Sequence, residues 1–426
     1  MFIPLDSTGH VNACIGIAEQ LVAQGQQVTF VLETAWNGRL ESNGFNVEYY
    51  TDPTRPPNLG PNEHWMRSMN LIKDTLHCDA LYKAGHQELK EFVEFLNNEL
   101  PSDDQIATII EKIDPDIIIV DNYVTVPAVY KSGRKWIMMT SANPLIVISH
   151  EDTPPGASGY AINSDRKQWR LFEETFWNHY GPVIVEFQSK VLALGGIEKF
   201  PDGSTFHPSP YLNIYAYPEE LDYLDVRPLP PTWKRFDHFI RNSTTEHVSC
   251  FEVPEKLRNQ PGRLIYVSMG SMGCVDRRLM ERLVKIFSGL QHRFMIVMGP
   301  NHGTIDLPSN IYGDRSLPQI DLLPMVDLFI THGGNNSILE AILFGRPVIV
   351  CPLFGDQYDN ATRVEEKGFG RQINAYTCND DELRSMIDEM LNDHQMYERL
   401  ERASNRMRSS NSTTKAAETI VKLCDT

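Results

Sequence analysis

Phe329-Ile330-Thr331-His332-Gly333-Gly334-Asn335-Asn336-Ser337-Ile338-Leu339-Glu340 reads as a strand that closes, a glycine turn and a helix that opens. A helix start leaves N–H groups without intrahelical partners and carries the positive end of the helix dipole, so strand, turn and helix in this order aim positive potential at an anion. The same residues also fit a tight turn with a good cap, because Asn and Ser are ordinary capping residues. His-Gly-Gly by itself does not choose between the two. The residues downstream do. Gly345-Arg346-Pro347 stops the helix, 348–351 is the next strand, and Asp356-Gln357 follows just beyond its carboxyl end. Ligands of doubly wound sheets sit outside the carboxyl ends of the strands, where two adjacent polar side chains suit a polyol.

Outward from this stretch the same rhythm repeats. Residues 264–267, 294–297, 328–330 and 348–351 read as strands, with helices over 279–290 and 338–343. Near the start, 28–32 and 117–120 read as strands. Ala13, Ile15, Ile17, Ala18, Leu21 and Val22 put one buried stripe on a helix over 11–23 that Gly25 ends. Strands alternating with helices predict an α/β protein built on parallel sheets. At 426 residues the chain exceeds what one core holds, roughly 250–300 residues, so two domains are expected. Pro228, Pro230, Pro231, Pro254, Pro261 and the polar run 242–247 show neither helical nor strand period. The predicted division is a first domain over 1–235, a linker over 236–260, a second domain over 261–405 and a closing helix over 406–426. The segment 157–194 is a long helical pattern rich in aromatic residues.

Composition narrows the function. Lys and Arg number 39 and Asp and Glu 56, a net charge of −17, which works against a nucleic-acid partner or an anionic membrane. Seven scattered cysteines without a CxxC pair indicate neither a disulfide framework nor a zinc ribbon. The amino terminus lacks the basic and apolar regions of a secretory signal, and no run approaches the ~18 apolar residues of a membrane span. A soluble, cytoplasmic protein without a membrane anchor is expected, in which the sequons at Asn242 and Asn411 have no role.

The first half carries its own candidate. Pro4-Leu5-Asp6-Ser7-Thr8-Gly9-His10 follows an apolar start and places His10 in a loop at the carboxyl end of the first strand. An imidazole, with an unperturbed pKa of ~6.5, can take a proton from a hydroxyl there, although a lone His is more often structural. The short strand before His10 suggests a natural start upstream of Met1.

Leu317-Pro318-Gln319, Thr331 to Ser337, Glu340, Gly345-Arg346-Pro347, Pro352 and Asp356-Gln357 together resemble the signature motif of the UDP-dependent glycosyltransferases of family 1. The resemblance implies two facing Rossmann-like domains (the GT-B architecture) with the site in the cleft, and a last helix that crosses back to the first domain. It implies that Gln319 and Glu340 hold the ribose and the Leu317 backbone pairs with uracil. His332, Gly334, Asn336 and Ser337 would receive the diphosphate, and Asp356 and Gln357 the sugar. It makes His10 the catalytic base and Asp121 its partner, fixing the tautomer as the acid does in a Ser-His-Asp triad. Ser271, in the glycine-rich stretch 267–273, becomes a phosphate contact, and Thr140 and Ser141 become candidates to touch the sugar.

The implied activity is inverting transfer of a hexose, glucose first, from a UDP-sugar to a hydroxyl of a small lipophilic acceptor. A flavonoid or another xenobiotic fits the soluble detoxifying members, with the acceptor pocket sought around 157–194 and Trp65. No cofactor and no metal are expected. Asp114-Pro115-Asp116 spells a cation-holding Asp-x-Asp, but it stands at the amino end of its strand, opposite the ligand face. One departure is clear: Ser316 occupies the place of the Trp that stacks on uracil in the family. Two other classes compete. A non-catalytic protein that sequesters nucleotide-sugars or lipophiles would not need both His10 and Asp121, and a nucleotide-sugar epimerase would need acid and base carboxylates flanking the sugar.

Overall fold

The apolar runs pair into two parallel sheets in the computed structural model, which describes every residue except 57–58, 98–99, 202, 242–250 and 425–426. The sequon at Asn242 and much of the predicted linker lie outside the described residues. The first sheet contains β1 (Phe2–Pro4), β2 (Thr29–Glu33), β3 (Asn46–Tyr50), β4 (Ile117–Asp121), β5 (Lys135–Thr140), β6 (Leu212–Ala216) and β7 (Trp233–Phe236). The second contains β8 (Leu264–Ser268), β9 (Arg293–Val297), β10 (Ile311–Asp314), β11 (Leu328–Thr331), β12 (Val348–Val350) and β13 (Gly370–Gln372).

The strand orders are β3-β2-β1-β4-β5-β6-β7 and β10-β9-β8-β11-β12-β13. Each sheet therefore reverses direction once, between β1 and β4 and between β8 and β11. Such a reversal opens a crevice at the carboxyl ends of the two strands, where doubly wound folds bind ligands. Both predicted clusters sit at these crevices. Two Rossmann-like domains are the result.

Alternation along each strand divides the core. Ile117 and Ile119 of β4 pack on one face with Phe2, Phe30 and Ile214, whereas Ile118 and Val120 pack on the other with Val31 and Met138. Successive strand side chains point to opposite faces, and helices cover both, which is why β4 reads as an unbroken apolar run. The helix Thr8–Ala23 is buried on more than one side. The helix Ser412–Cys424 covers it, adding Ala416, Ala417 and Ile420 to the same core, and Ser412 Oγ accepts from the N–H groups of Asp237 and His238 at 2.8 and 3.1 Å.

The long helix Arg166–Leu194 carries most of the aromatic segment. Trp169 is buried, and Phe172, Tyr180 and Phe187 are buried in clusters with Leu96, Phe200, Ala80 and Ala84. These aromatics of 157–194 are core between helices, the ordinary fate of large apolar side chains on a helix face.

Candidate active site

The first-lobe cluster begins where β1 ends. Ser7, the residue before the helix, makes no side-chain cap. Asn62 supplies one instead, its Oδ1 accepting from Thr8 N at 3.0 Å. The helix therefore starts at Thr8, and His10 stands in its first turn rather than in the loop expected from the sequence. Apolar periodicity starts only at Val11, so the polar Thr8 and Gly9 hid the true start.

Asp121 closes β4, and its Cα pairs with Pro4 at the end of β1. His10 Nδ1 lies 3.1 Å from Asp121 Oδ1, with His10 8% and Asp121 0% exposed. An ionised carboxylate only accepts, so Nδ1 is assigned the proton and Nε2 keeps the lone pair. Ser141 is the third member. Its Oγ is 3.2 Å from His10 Nδ1 and donates to Asp121 Oδ2 at 2.7 Å, while its N–H donates to Asp121 Oδ1 at 3.2 Å. Ser141 thus faces the imidazole and carboxylate, and Thr140, just before it, is fully buried in the first lobe. Tyr123 sets its ring edge-on to His10, centroids 4.9 Å apart. Burial pushes its phenol well above the ordinary range.

The second cluster is built from backbone. Gly333 has φ +90, and a Cβ there would meet Val350 Cγ1 at 2.5 Å, so both conformation and space require glycine. Cβ atoms at Gly270 or Gly334 would each come within 2.7 Å of the His332 ring, which lies between them. Burial lowers that imidazole to about 4, leaving it neutral near pH 7. Gly334 precedes the helix Asn335–Leu343, whose first turn carries Asn336 and Ser337. Gln319 Nε2 donates to Glu340 Oε2 at 2.6 Å and to Ser337 Oγ at 3.2 Å, so the structure brings these three together. Burial raises the Glu340 carboxyl, against the opposing pull of Arg241, whose Nη1 is 4.0 Å from Oε1, and of Gln319. Leu317 is half-buried just before Gln319. The stretch after β8 is a helical turn, Gly270–Gly273, that holds Ser271, rather than an open loop.

The two clusters meet across the cleft. Asn336 Nδ2 donates to the carbonyl of Gly9, the residue before His10, at 2.7 Å. Asp356 precedes the helix Gln357–Glu366, and its Oδ2 accepts from the N–H of Asn143, just past β5, at 3.0 Å. Burial pushes the Asp356 carboxyl up to about 6, opposed chiefly by that N–H. Gln357 turns its Oε1 back onto Leu353 N and Phe354 N at 2.9 and 3.2 Å. Asn360 is wholly buried and links the lobes, its Oδ1 accepting from Asn143 Nδ2 at 2.9 Å and its Nδ2 donating to the Gly333 carbonyl at 2.9 Å. Asp359 accepts from Ala157 N at 2.6 Å and Gly159 N at 3.0 Å.

Asn143, Asn360 and Arg241 were absent from the sequence reading. Asn143 had a usable signal, since it follows the carboxyl end of an apolar run. Asn360 had one too, standing four residues after Asp356 on one helix face.

Away from the cleft, Asp114 ends the helix Asp103–Ile113 and pairs with Arg134. Among the described residues no group of three or more His, Cys, Asp or Glu is arranged to hold a metal ion. Nor is any helix among them long and apolar enough to cross a membrane.

A family model described as UDP-glucoronosyl and UDP-glucosyl transferase matches residues 255–410. Human UDP-glucuronosyltransferase 1A9 is 39% identical over 450 residues, covering 95% of this chain and 78% of that protein. The chain belongs to this family. An uncharacterized UDP-glucosyltransferase of Bacillus subtilis, YojK, is 26% identical over 434 residues, covering 99% of this chain and 96% of its own. Among solved structures, the glycotransferase of kitacinnamycin aligns with a TM-score of 0.70 at 20% identity, covering 99% of this chain and 97% of that one. VinC, solved in complex with DTDP, aligns at 0.64 with 16% identity over 100% and 99% of the two chains. These structural likenesses bear on the fold, which they share. As a family member the chain is a UDP-glycosyltransferase, an enzyme of transferase type.

Proposed function

We propose that the protein moves a hexose from a UDP-sugar, glucose first, to a hydroxyl of a small lipophilic acceptor, with inversion at the anomeric carbon. One observation carries this reading: the 2.7 Å contact between Asn336 Nδ2 and the Gly9 carbonyl, which sets a helix start beside the turn that bears His10. In this scheme the diphosphate docks at the first turn of Asn335–Leu343, with Ser271 and neutral His332 beside it. Ribose hydroxyls exchange hydrogen bonds with Gln319 and Glu340, Leu317 offers its backbone to uracil, and Asp356 and Gln357 bind the hexose. His10 Nε2 takes the acceptor's hydroxyl proton. The oxygen then forms its bond to the anomeric carbon from the face opposite UDP, while the bond from that carbon to the diphosphate oxygen breaks. Positioning supplies much of the rate, and helix N–H groups stabilise the charge that develops on UDP. Asp121 holds the imidazole and balances its charge once protonated.

The fixed N–H groups at the helix start support a reaction that needs no metal. The scheme fits a cytoplasmic enzyme acting on flavonoids or other xenobiotics. A second donor is favoured by one observation, the 39% identity to a protein named as a glucuronosyltransferase. Incubation with UDP-glucose or UDP-glucuronate and a panel of flavonols, read by UDP release and product mass, tests the reading. Glucosides are expected. Glucuronides alone would replace the donor, and donor binding without UDP release from any acceptor would favour a sequestering protein.

A further inference from the structure

The His10–Asp121 pair is not isolated, because Ser141 touches both of its members and does so twice over on the carboxylate. Asp121 is fully buried, and a buried carboxylate oxygen left without a donor is costly. Oδ1 accepts the Ser141 N–H and lies 3.1 Å from His10 Nδ1, whereas Oδ2 takes the Ser141 hydroxyl at 2.7 Å. With its own proton committed to Oδ2, the Ser141 oxygen turns a lone pair toward His10 Nδ1 at 3.2 Å. Both groups facing Nδ1 are then acceptors.

We infer that Ser141 is a positioning residue for proton transfer: its hydroxyl fixes the rotation of the Asp121 carboxylate and, through it, keeps the His10 proton on Nδ1 so that Nε2 stays the base. This rests on the reading of His10 as base. When the acceptor's proton arrives at Nε2, the Nδ1–H does not move; it remains shared between Asp121 Oδ1 and Ser141 Oγ. Ser141 touches neither donor nor acceptor in this scheme. The titratable groups that face the imidazole are Asp121 from the end of β4, Tyr123 just after it, and Asp356 from the opposite lobe. None of them supplies the proton that Oδ2 receives from Ser141.

The test is steady-state kinetics of the full chain over pH with UDP-glucose, or UDP-glucuronate if that is the donor used. Ser141→Ala is expected to lower kcat about ten- to a hundredfold, the range for a hydrogen bond to a charged group, with KM for the donor within about threefold. The acid limb of kcat/KM should move to higher pH, because a carboxylate that has lost a donor pulls harder on the imidazolium. Ser141→Thr, which keeps the hydroxyl, should recover most of the rate. Ser141→Cys fills the same space with a weak donor, so it should lose rate like the Ala variant if the hydroxyl matters and keep full rate if only packing does. Unchanged kcat and an unmoved acid limb in Ser141→Ala or Ser141→Cys, beside an inactive His10→Ala, would overturn the role of Ser141 alone. A fully active His10→Ala would instead remove the base reading on which it rests.

Discussion

The two crevices share one topology and diverge in chemistry. Each lies where strand order reverses, β1 beside β4 in one lobe and β8 beside β11 in the other, and each has a histidine shortly after a central strand. His10 has a carboxylate at 3.1 Å. His332 has glycine on either side, and burial lowers it to about 4. A buried imidazole without a charged partner stays neutral, whereas one beside a carboxylate can gain and lose a proton. The same fold thus makes one crevice suited to proton transfer and the other suited to holding charge with backbone N–H groups.

The division can be broken most sharply at His10. His10→Ala should reduce transfer about 10²- to 10⁴-fold, the usual worth of a general base, while UDP affinity measured by calorimetry stays within about tenfold. A fall in UDP affinity to match the rate would mean that the first crevice also binds the donor.

Glu340→Ala probes the other lobe. It removes the partner of Gln319 Nε2 and should raise KM for the UDP-sugar about ten- to a hundredfold with a smaller change in kcat. If kcat falls and KM is unmoved, the carboxylate does not serve the donor's ground state.

Titration distinguishes two buried groups of the second lobe more gently. Burial pushes Asp359 from 3.8 up to about 8 despite its two N–H partners. A group whose folded pKa is raised contributes stability that is full below the unfolded value and is lost as pH rises through the folded one. His332 has the opposite sign, lowered from 6.5 to about 4, so its contribution is present above 6.5 and lost only toward 4. From pH 6.5 to 8 Asp359 therefore acts without His332, and its own share of the pH slope, a fall in Tm of about a degree or two as pH rises, is the part that a variant can remove. Asp359→Asn should flatten that slope in differential scanning fluorimetry, and an unchanged slope would place the titration elsewhere.

The smallest effect concerns the base. Ser316 is exposed where the family has a stacking Trp. Ser316→Trp should lower KM for the donor about fivefold or more, since stacking on a base contributes about 1–3 kcal/mol. No change would show that another side chain already covers the uracil face.

Much of this contrast was legible in the sequence, and for different reasons in the two lobes. The second crevice is local: strand, glycines and helix start are contiguous from Phe329 to Glu340, so spacing alone conveys the geometry. The first is assembled from distant residues. His10 was found because it follows an apolar run, and Asp121, at the end of another, because the family resemblance pairs it with that His, but Ser141 joins them only through the pairing of β4 with β5, which no local period encodes. Asn62, which starts the helix at Thr8, is likewise remote in sequence. Among the strands that escaped notice, three fail for composition: β3, β10 and β13 read Asn46-Val47-Glu48-Tyr49-Tyr50, Ile311-Tyr312-Gly313-Asp314 and Gly370-Arg371-Gln372. The first is half exposed, and all three are too polar or too short for a clear alternation.

A crystal structure of the protein with UDP and an acceptor bound examines the facing arrangement directly. The β-phosphate should lie against the N–H groups of Asn335 to Ser337, with His10 Nε2 within hydrogen-bond reach of the acceptor hydroxyl across one hexose width. A diphosphate bound elsewhere, or an imidazole too distant to share a sugar with it, would contradict the account.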